Sequence, residues 1–215
     1  MIVTPLIIPF LIWGAVALAG VFTVAGLAGF WDNPEKNKLG LLGMQISGKT
    51  RFLSYLRNIP FVDKRTGRMG YEEFIHTLND GKKITICSGV DIGGGDNYRA
   101  DYDTILDNAD VILYFFDIDK YLRNEMDLES NILYQRSCNS RFEHIYSRVK
   151  LSKKPVLIIA THTDKCNLSE SAMKQKFDAL ASNKSYKDML RGVVYANLTN
   201  TNEIKNLVNK IFKGK

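Results

Sequence analysis

No charged side chain occurs between Met1 and Trp31; Asp32 is the first. That absence excludes an amphipathic surface helix, which would need a polar face. The stretch also lacks any basic residue ahead of its apolar run, and the run outlasts the roughly 7–15 apolar residues of a secretory signal, so a cleaved leader is disfavoured. Cysteine is scarce: Cys87, Cys138 and Cys166 form no C-x-x-C pair, and their number is odd. This argues against a disulfide framework or a zinc site and fits a reducing compartment. The chain has no repeat or low-complexity bias, and 45% of its 215 residues are hydrophobic, as in a folded protein. The net charge of +6 is not interleaved with aromatics, so a nucleic-acid partner is not expected, and anionic lipid is the favoured reading of the charge.

What is present begins with that uncharged stretch. Ile2 to Phe30 is mostly Ile, Leu, Val, Phe, Ala and Gly, longer than the roughly 20 residues that cross a bilayer as a helix. Pro5 and Pro9 set or kink its start, giving a span from about Leu6 to Phe30, with Phe30 and Trp31 suited to an interfacial belt. Lys36 and Lys38 follow it and nothing basic precedes it, so the positive-inside rule puts the rest of the chain in the cytoplasm. The sequence thus divides into an anchor over 1–31, a polar linker over 32–37 and one domain over 38–215.

The domain opens on Gly43-Met44-Gln45-Ile46-Ser47-Gly48-Lys49-Thr50, a full match to G-x-x-x-x-G-K-[ST]. Average residue usage gives an accidental match in roughly one chain in a hundred of this length. Its setting is right as well: Lys38–Leu42 reads as a short buried strand, and Arg51–Arg57 as an amphipathic helix with Phe52, Tyr55 and Leu56 on one face. Backbone N–H groups of Gly43, Gln45, Ile46, Ser47 and Gly48 would then face an anion at a helix N-terminus. Lys49 would reach the β- and γ-phosphates, and the Thr50 hydroxyl would hold Mg²⁺.

Further on, Tyr71–Leu78 and Lys83–Val90 flank Asn79-Asp80-Gly81, a hairpin signal. Tyr98–Asn108 reads as a helix, Val111–Phe116 as a strand buried on both faces, Leu122–Leu151 as a long helical pattern, and Pro155–Ala160 as a second buried strand. Ser169 begins another helix, Val193–Ala196 is a short strand, and Glu203–Phe212 closes the chain as an amphipathic helix. Alternating strands and helices predict an α/β fold with a mostly parallel sheet, helices on both faces, and one antiparallel edge strand from the hairpin. Gly43–Thr50, Asp91, Asp164 and Ala196 all fall at strand carboxyl ends, where such sheets bind ligands.

This order of motifs resembles the Ras-like small GTPases, nearest the Arf/Sar branch and the membrane-anchored β subunit of the signal recognition particle receptor; it is also similar to uncharacterised membrane-anchored bacterial GTPases. The resemblance covers about residues 38–213. It rests on the Gly43–Thr50 loop, on Asp91-Ile92-Gly93-Gly94 as D-x-G-G, and on Thr161-His162-Thr163-Asp164 as [NT]-K-x-D. It implies a P-loop NTPase fold with a six-stranded sheet, binding of GTP or GDP with Mg²⁺, and a switch cycle. Asp91 would hold Mg²⁺ through a water, with Thr66 the better candidate for the switch I metal ligand and Thr77, within an expected strand, the poorer one. The Gly94 N–H would meet the γ-phosphate, and Asp164 would accept from guanine N1 and N2. Thr161 and His162 would flank the base, with Ala196 in the loop that covers it. Two positions depart from the family: His162 stands for its lysine, and Gly95 for its catalytic glutamine. Without that side chain hydrolysis is expected to be slow or completed by a protein partner. The leading expectation is a membrane-anchored GTP-binding switch, with GTPase activity unsettled and an effector or activating protein as partner. A non-hydrolysing GTP-binding scaffold is the alternative. An ATP-using enzyme is disfavoured because ATP would leave Asp164 unpaired.

Overall fold

The protein is described by a computed structural model over residues 31, 37–63, 67–95, 99–127, 131–152 and 154–213. The expected membrane span, the 32–36 part of the linker and Thr66 lie outside those residues. Among the described residues no helix is long and apolar enough to cross a membrane.

Six strands form the central sheet: β1 (Leu39–Gly43), β2 (Arg68–Tyr71), β5 (Gly89–Ile92), β6 (Val111–Asp117), β9 (Val156–Thr161) and β10 (Val194–Tyr195). Their order is β10-β9-β6-β1-β5-β2, with every pair parallel except β2 against β5. The fold is therefore α/β with a mostly parallel six-stranded sheet and one antiparallel edge strand.

Strand β6 shows why the sheet is covered on both faces. All seven of its residues are buried, and they divide by period two. Ile112, Tyr114 and Phe116 enter a core with Leu42, Phe142 and Phe177. Val111, Leu113 and Phe115 enter another with Leu41, Phe52 and Phe212. The first core lies beneath α2 (Arg99–Asn108), α4 (Tyr134–Ser152) and α5 (Glu170–Ala181); the second lies beneath α1 (Lys49–Leu56) and α6 (Thr201–Lys213). A strand buried on both faces reads as a continuous apolar run, and such runs mark the middle of a parallel sheet. Helix α6 presents Ile204, Leu207, Val208 and Ile211 to its core as expected, and begins two residues earlier than the sequence suggested. The side chain of Asn200 accepts from the N–H groups of Asn202 (2.9 Å) and Glu203 (3.4 Å) and caps it. Ser169 caps α5 in the same way, through Ala172 N–H.

Three local details differ from expectation. The single hairpin is broken into two pairings: β2 runs against β5, while β3 (Phe74–Thr77) pairs with β4 (Lys83–Ile86) as a separate two-stranded sheet. The break falls at exposed Glu72 and Glu73 on one side. On the other, Cys87 donates its N–H to the Asn37 carbonyl instead of continuing the ladder. The Asn79–Gly81 tip forms as predicted, with Gly81 at φ 84° donating to Leu78 O. The Leu122–Leu151 helical pattern resolves into three pieces: the end of a short helix α3 (Ile118–Arg123), a minimal hairpin of β7 (Met126–Asp127) and β8 (Ile132–Leu133), and then α4. The side chain of Asp117 caps α3 by accepting from Lys120 N–H at 3.0 Å. Finally, Trp31 is packed onto the domain rather than standing in a belt. It is 3% exposed, its ring lies 4.5 Å from that of Phe212, and its Nε1–H donates to Ile211 O at 2.9 Å.

Candidate functional site

The loop between β1 and α1 takes a shape that only particular residues permit. Gly43 has φ 147°, and a Cβ there would stand 2.1 Å from Phe115 O. Gly48 has φ 88°, and its Cβ would meet Leu198 at 2.6 Å. Ile46 adopts φ 56°, unusual for a β-branched residue, with its side chain exposed. Lys49 is buried, and its ammonium donates to the carbonyls of Met44 (2.8 Å) and Gly43 (3.3 Å). Burial lowers its pKa to about 8; nearby Asp91 opposes that shift and Arg141 adds to it.

At the carboxyl end of β5, Asp91 is fully buried. It accepts from the Thr50 hydroxyl at 2.8 Å through Oδ2, while its Oδ1 is buried with no hydrogen-bond partner among the described residues. Burial raises its pKa, against the Thr50 hydrogen bond and the Lys49 charge. An unpartnered carboxylate oxygen beside a hydroxyl is a set of hard oxygen donors, and it fits a cation such as Mg²⁺, which takes one or two carboxylates and draws its other ligands from water and phosphate. No cluster of three or more His, Cys, Asp or Glu occurs among the described residues, so an all-protein metal cage is not what these residues offer. Gly94 lies directly on the loop: a Cβ would come within 2.1 Å of Gln45 N and Met44 C, whereas one at Gly95 would meet nothing within 4 Å among the described residues.

The second group of predicted residues sits at the end of β9. Thr161 is buried and donates its hydroxyl to Phe116 O at 2.9 Å. His162 follows in the left-handed region, φ 59°. Its Nδ1 lies 3.0 Å from Thr161 Oγ1 and 3.5 Å from Asp117 Oδ2. Asp164 is exposed within the short 3₁₀ turn Thr163–Lys165.

One cavity of about 610 Å³ joins the two groups. Its wall includes Gln45 to Thr50 and Gly94 at one end, with Thr161, His162 and Asp164 at the other. Gly43 and Asp91 sit immediately behind the wall. Ala196 does not line it. Its N–H is held by Ala160 O at 3.0 Å, in register with the sheet, and the wall is made by the next three residues, Asn197, Leu198 and Thr199.

Sequence reasoning missed several residues here. Asp117 was hidden at the end of an apolar run, although a carboxylate directly after a doubly buried strand was itself a signal. Phe61 and Asp63 line the cavity from an irregular segment, and Phe61 carries the Arg51 guanidinium 4.3 Å above its ring. Arg141, on α4 and 2% exposed, reaches the Met44 sulfur behind the loop; a polar position inside a helix gave no hint of that.

Compared with known proteins, the chain matches no family model and no curated protein.

Proposed function

We propose that this domain binds a guanine nucleotide with Mg²⁺ and acts as a nucleotide-dependent switch held at a membrane by residues 1–30. The observation that carries the reading is the shared cavity: a buried ammonium and the Thr50 hydroxyl, backed by Asp91, among its lining residues, together with the exposed carboxylate of Asp164. Lys49, which now donates to two loop carbonyls, would redirect those hydrogen bonds to phosphate oxygens. Thr50 and Asp91 would hold the metal, whose charge offsets that of the phosphates. Asp164 would accept from the two donors on the guanine edge. Adenine offers no such pair and would leave the carboxylate unsatisfied. The binding test is calorimetric titration of the full-length protein in detergent with GDP, GTP and ATP, each with Mg²⁺. Guanine nucleotides binding at least tenfold tighter than ATP support the reading; equal affinities, or none, overturn it. Protease protection in native vesicles tests the anchor, with the domain expected to be cleavable from the cytoplasmic side.

A non-hydrolysing scaffold is the second reading, favoured by Gly95, which has no side chain of its own and near whose Cβ position no atom of the described residues lies within 4 Å to orient water. Single-turnover GTP hydrolysis with and without cell extract separates the two, because stimulation by extract rules against the scaffold.

A further inference from the structure

The imidazole of His162 is fixed from one side only. The Thr161 hydroxyl gives its hydrogen to Phe116 O, so the lone pairs of Thr161 Oγ1 are what His162 Nδ1 meets at 3.0 Å. With the hydroxyl hydrogen directed at Phe116 O, the Thr161 oxygen and the Asp117 carboxylate at 3.5 Å both favour the tautomer that carries its hydrogen on Nδ1. This assigns the tautomer whatever the charge of the ring. It leaves Nε2 as the atom that titrates; Nε2 has no hydrogen bond among the described residues, and His162 is one of the residues that line the cavity. The charged groups around the ring come from three elements: Asp117 at the end of β6, Lys120 on α3, and Asp164 and Lys165 on the 3₁₀ turn. Burial outweighs the carboxylates and lowers the histidine's pKa, so in the empty pocket the ring is neutral at neutral pH.

Resting on the nucleotide reading above, we propose that His162 is a ligand-contacting residue that takes up a proton at Nε2 when the nucleotide binds, keeps it, and uses that N–H as a hydrogen-bond donor to an oxygen of the nucleoside portion, either the base carbonyl or the ribose. Three features support this. The ligand is an anion, its nucleoside offers oxygen acceptors, and Asp117 is already placed to stabilise the imidazolium through Nδ1. Linkage is reciprocal: a nucleotide that prefers the protonated ring raises the ring's affinity for the proton, and acid tightens the nucleotide. Affinity therefore rises as pH falls through the histidine's pKa in the complex, and levels off below its pKa in the free protein.

The test is titration of full-length protein in detergent with GDP and Mg²⁺ between pH 5.5 and 8, in two buffers of different ionisation enthalpy. The wild type is expected to bind about tenfold tighter at pH 6 than at pH 7.5, an average uptake of about two-thirds of a proton per nucleotide across that range, since one full proton linked over one pH unit changes affinity by at most tenfold. In His162→Lys the ratio of affinities across this range falls to what the nucleotide's own phosphate titration contributes, which is common to both proteins. His162→Gln carries the same expectation if the lysine variant fails to fold. A wild-type ratio equal to that of either folded variant overturns the inference while leaving nucleotide binding intact. Absence of GDP binding at every pH overturns both.

Discussion

Two neighbouring glycines at the end of β5 do different work. Gly94 is pressed on the Met44–Gln45 peptide so closely that a Cβ would lie 2.1 Å from backbone atoms, which cannot rotate away. Gly94→Ala is expected to cost about 3 kcal/mol, at the high end for overpacking. In a domain of this size that lowers the melting temperature by roughly 6–12 °C. Gly95→Ala meets nothing within 4 Å, and its melting temperature should stay within about 2 °C of the wild type, the effect of an ordinary surface change of up to 0.5 kcal/mol. Thermal denaturation of the two variants side by side checks both. The space at Gly95 also carries a functional expectation. Gly95→Gln should raise single-turnover GTP hydrolysis by about tenfold or more, if the proposed nucleotide reading holds, as a side chain able to orient water is supplied; an unchanged rate would mean that water orientation is not what this loop lacks. Lys49, Thr50 and Gly94 were legible in the sequence because few residues supply what each position needs: an ammonium, a hydroxyl, and the absence of a Cβ. Ala196 itself does not line the cavity, whereas the next three residues do. Its backbone N–H stays in the sheet, and a strand of two residues leaves no periodicity from which to fix where the loop begins.

The elements were legible in proportion to their length and burial. The apolar run of β6 and the 3.6-residue stripe of α6 announce themselves. Helix α3 has six residues, too short for a helical period to register, and it depends on the Asp117 cap that the sequence reading passed over. The hairpin tip was legible because Gly81 supplies the positive φ; the break at Glu72–Glu73 was not, since it depends on Cys87 bonding to a residue fifty positions earlier. Trp31 belongs with these tertiary effects. An aromatic after a long apolar run suits an interface equally well, and only its contact with Ile211 and Phe212, 180 residues away, shows otherwise. Trp31→Ala should cost about 3 kcal/mol, the low end for removing a buried Trp, which is roughly 6–12 °C in melting temperature. A chain beginning at 38 should melt below one beginning at 31 by a similar margin. If the two melt together, the Trp31 contact contributes nothing to the domain.

At the scale of the molecule, the site is built at a cost to the fold. Asp91 is fully buried, with one oxygen unpartnered and its pKa raised by burial. Above that raised pKa the ionised carboxylate destabilises the ligand-free protein, and the penalty is relieved as pH falls through it toward the unfolded value. Asp91→Asn keeps an oxygen for the Thr50 hydroxyl and removes the charge. At pH 7, without ligand, the variant should therefore melt above the wild type, by about 2–4 °C if 1 kcal/mol of desolvation is recovered. The order should reverse with ligand. GDP and Mg²⁺ at a thousand times the dissociation constant stabilise a binding-competent protein by about 4 kcal/mol, or roughly 8–16 °C, and this gain should appear in the wild type, vanish with EDTA, and be small in Asp91→Asn. Melting curves of both full-length proteins, empty, with GDP alone and with GDP and Mg²⁺, give the complete comparison. If the variant is less stable when empty, the Asp91 carboxylate is a structural group satisfied within the fold; if it keeps the full Mg²⁺-dependent gain, the cation is held elsewhere.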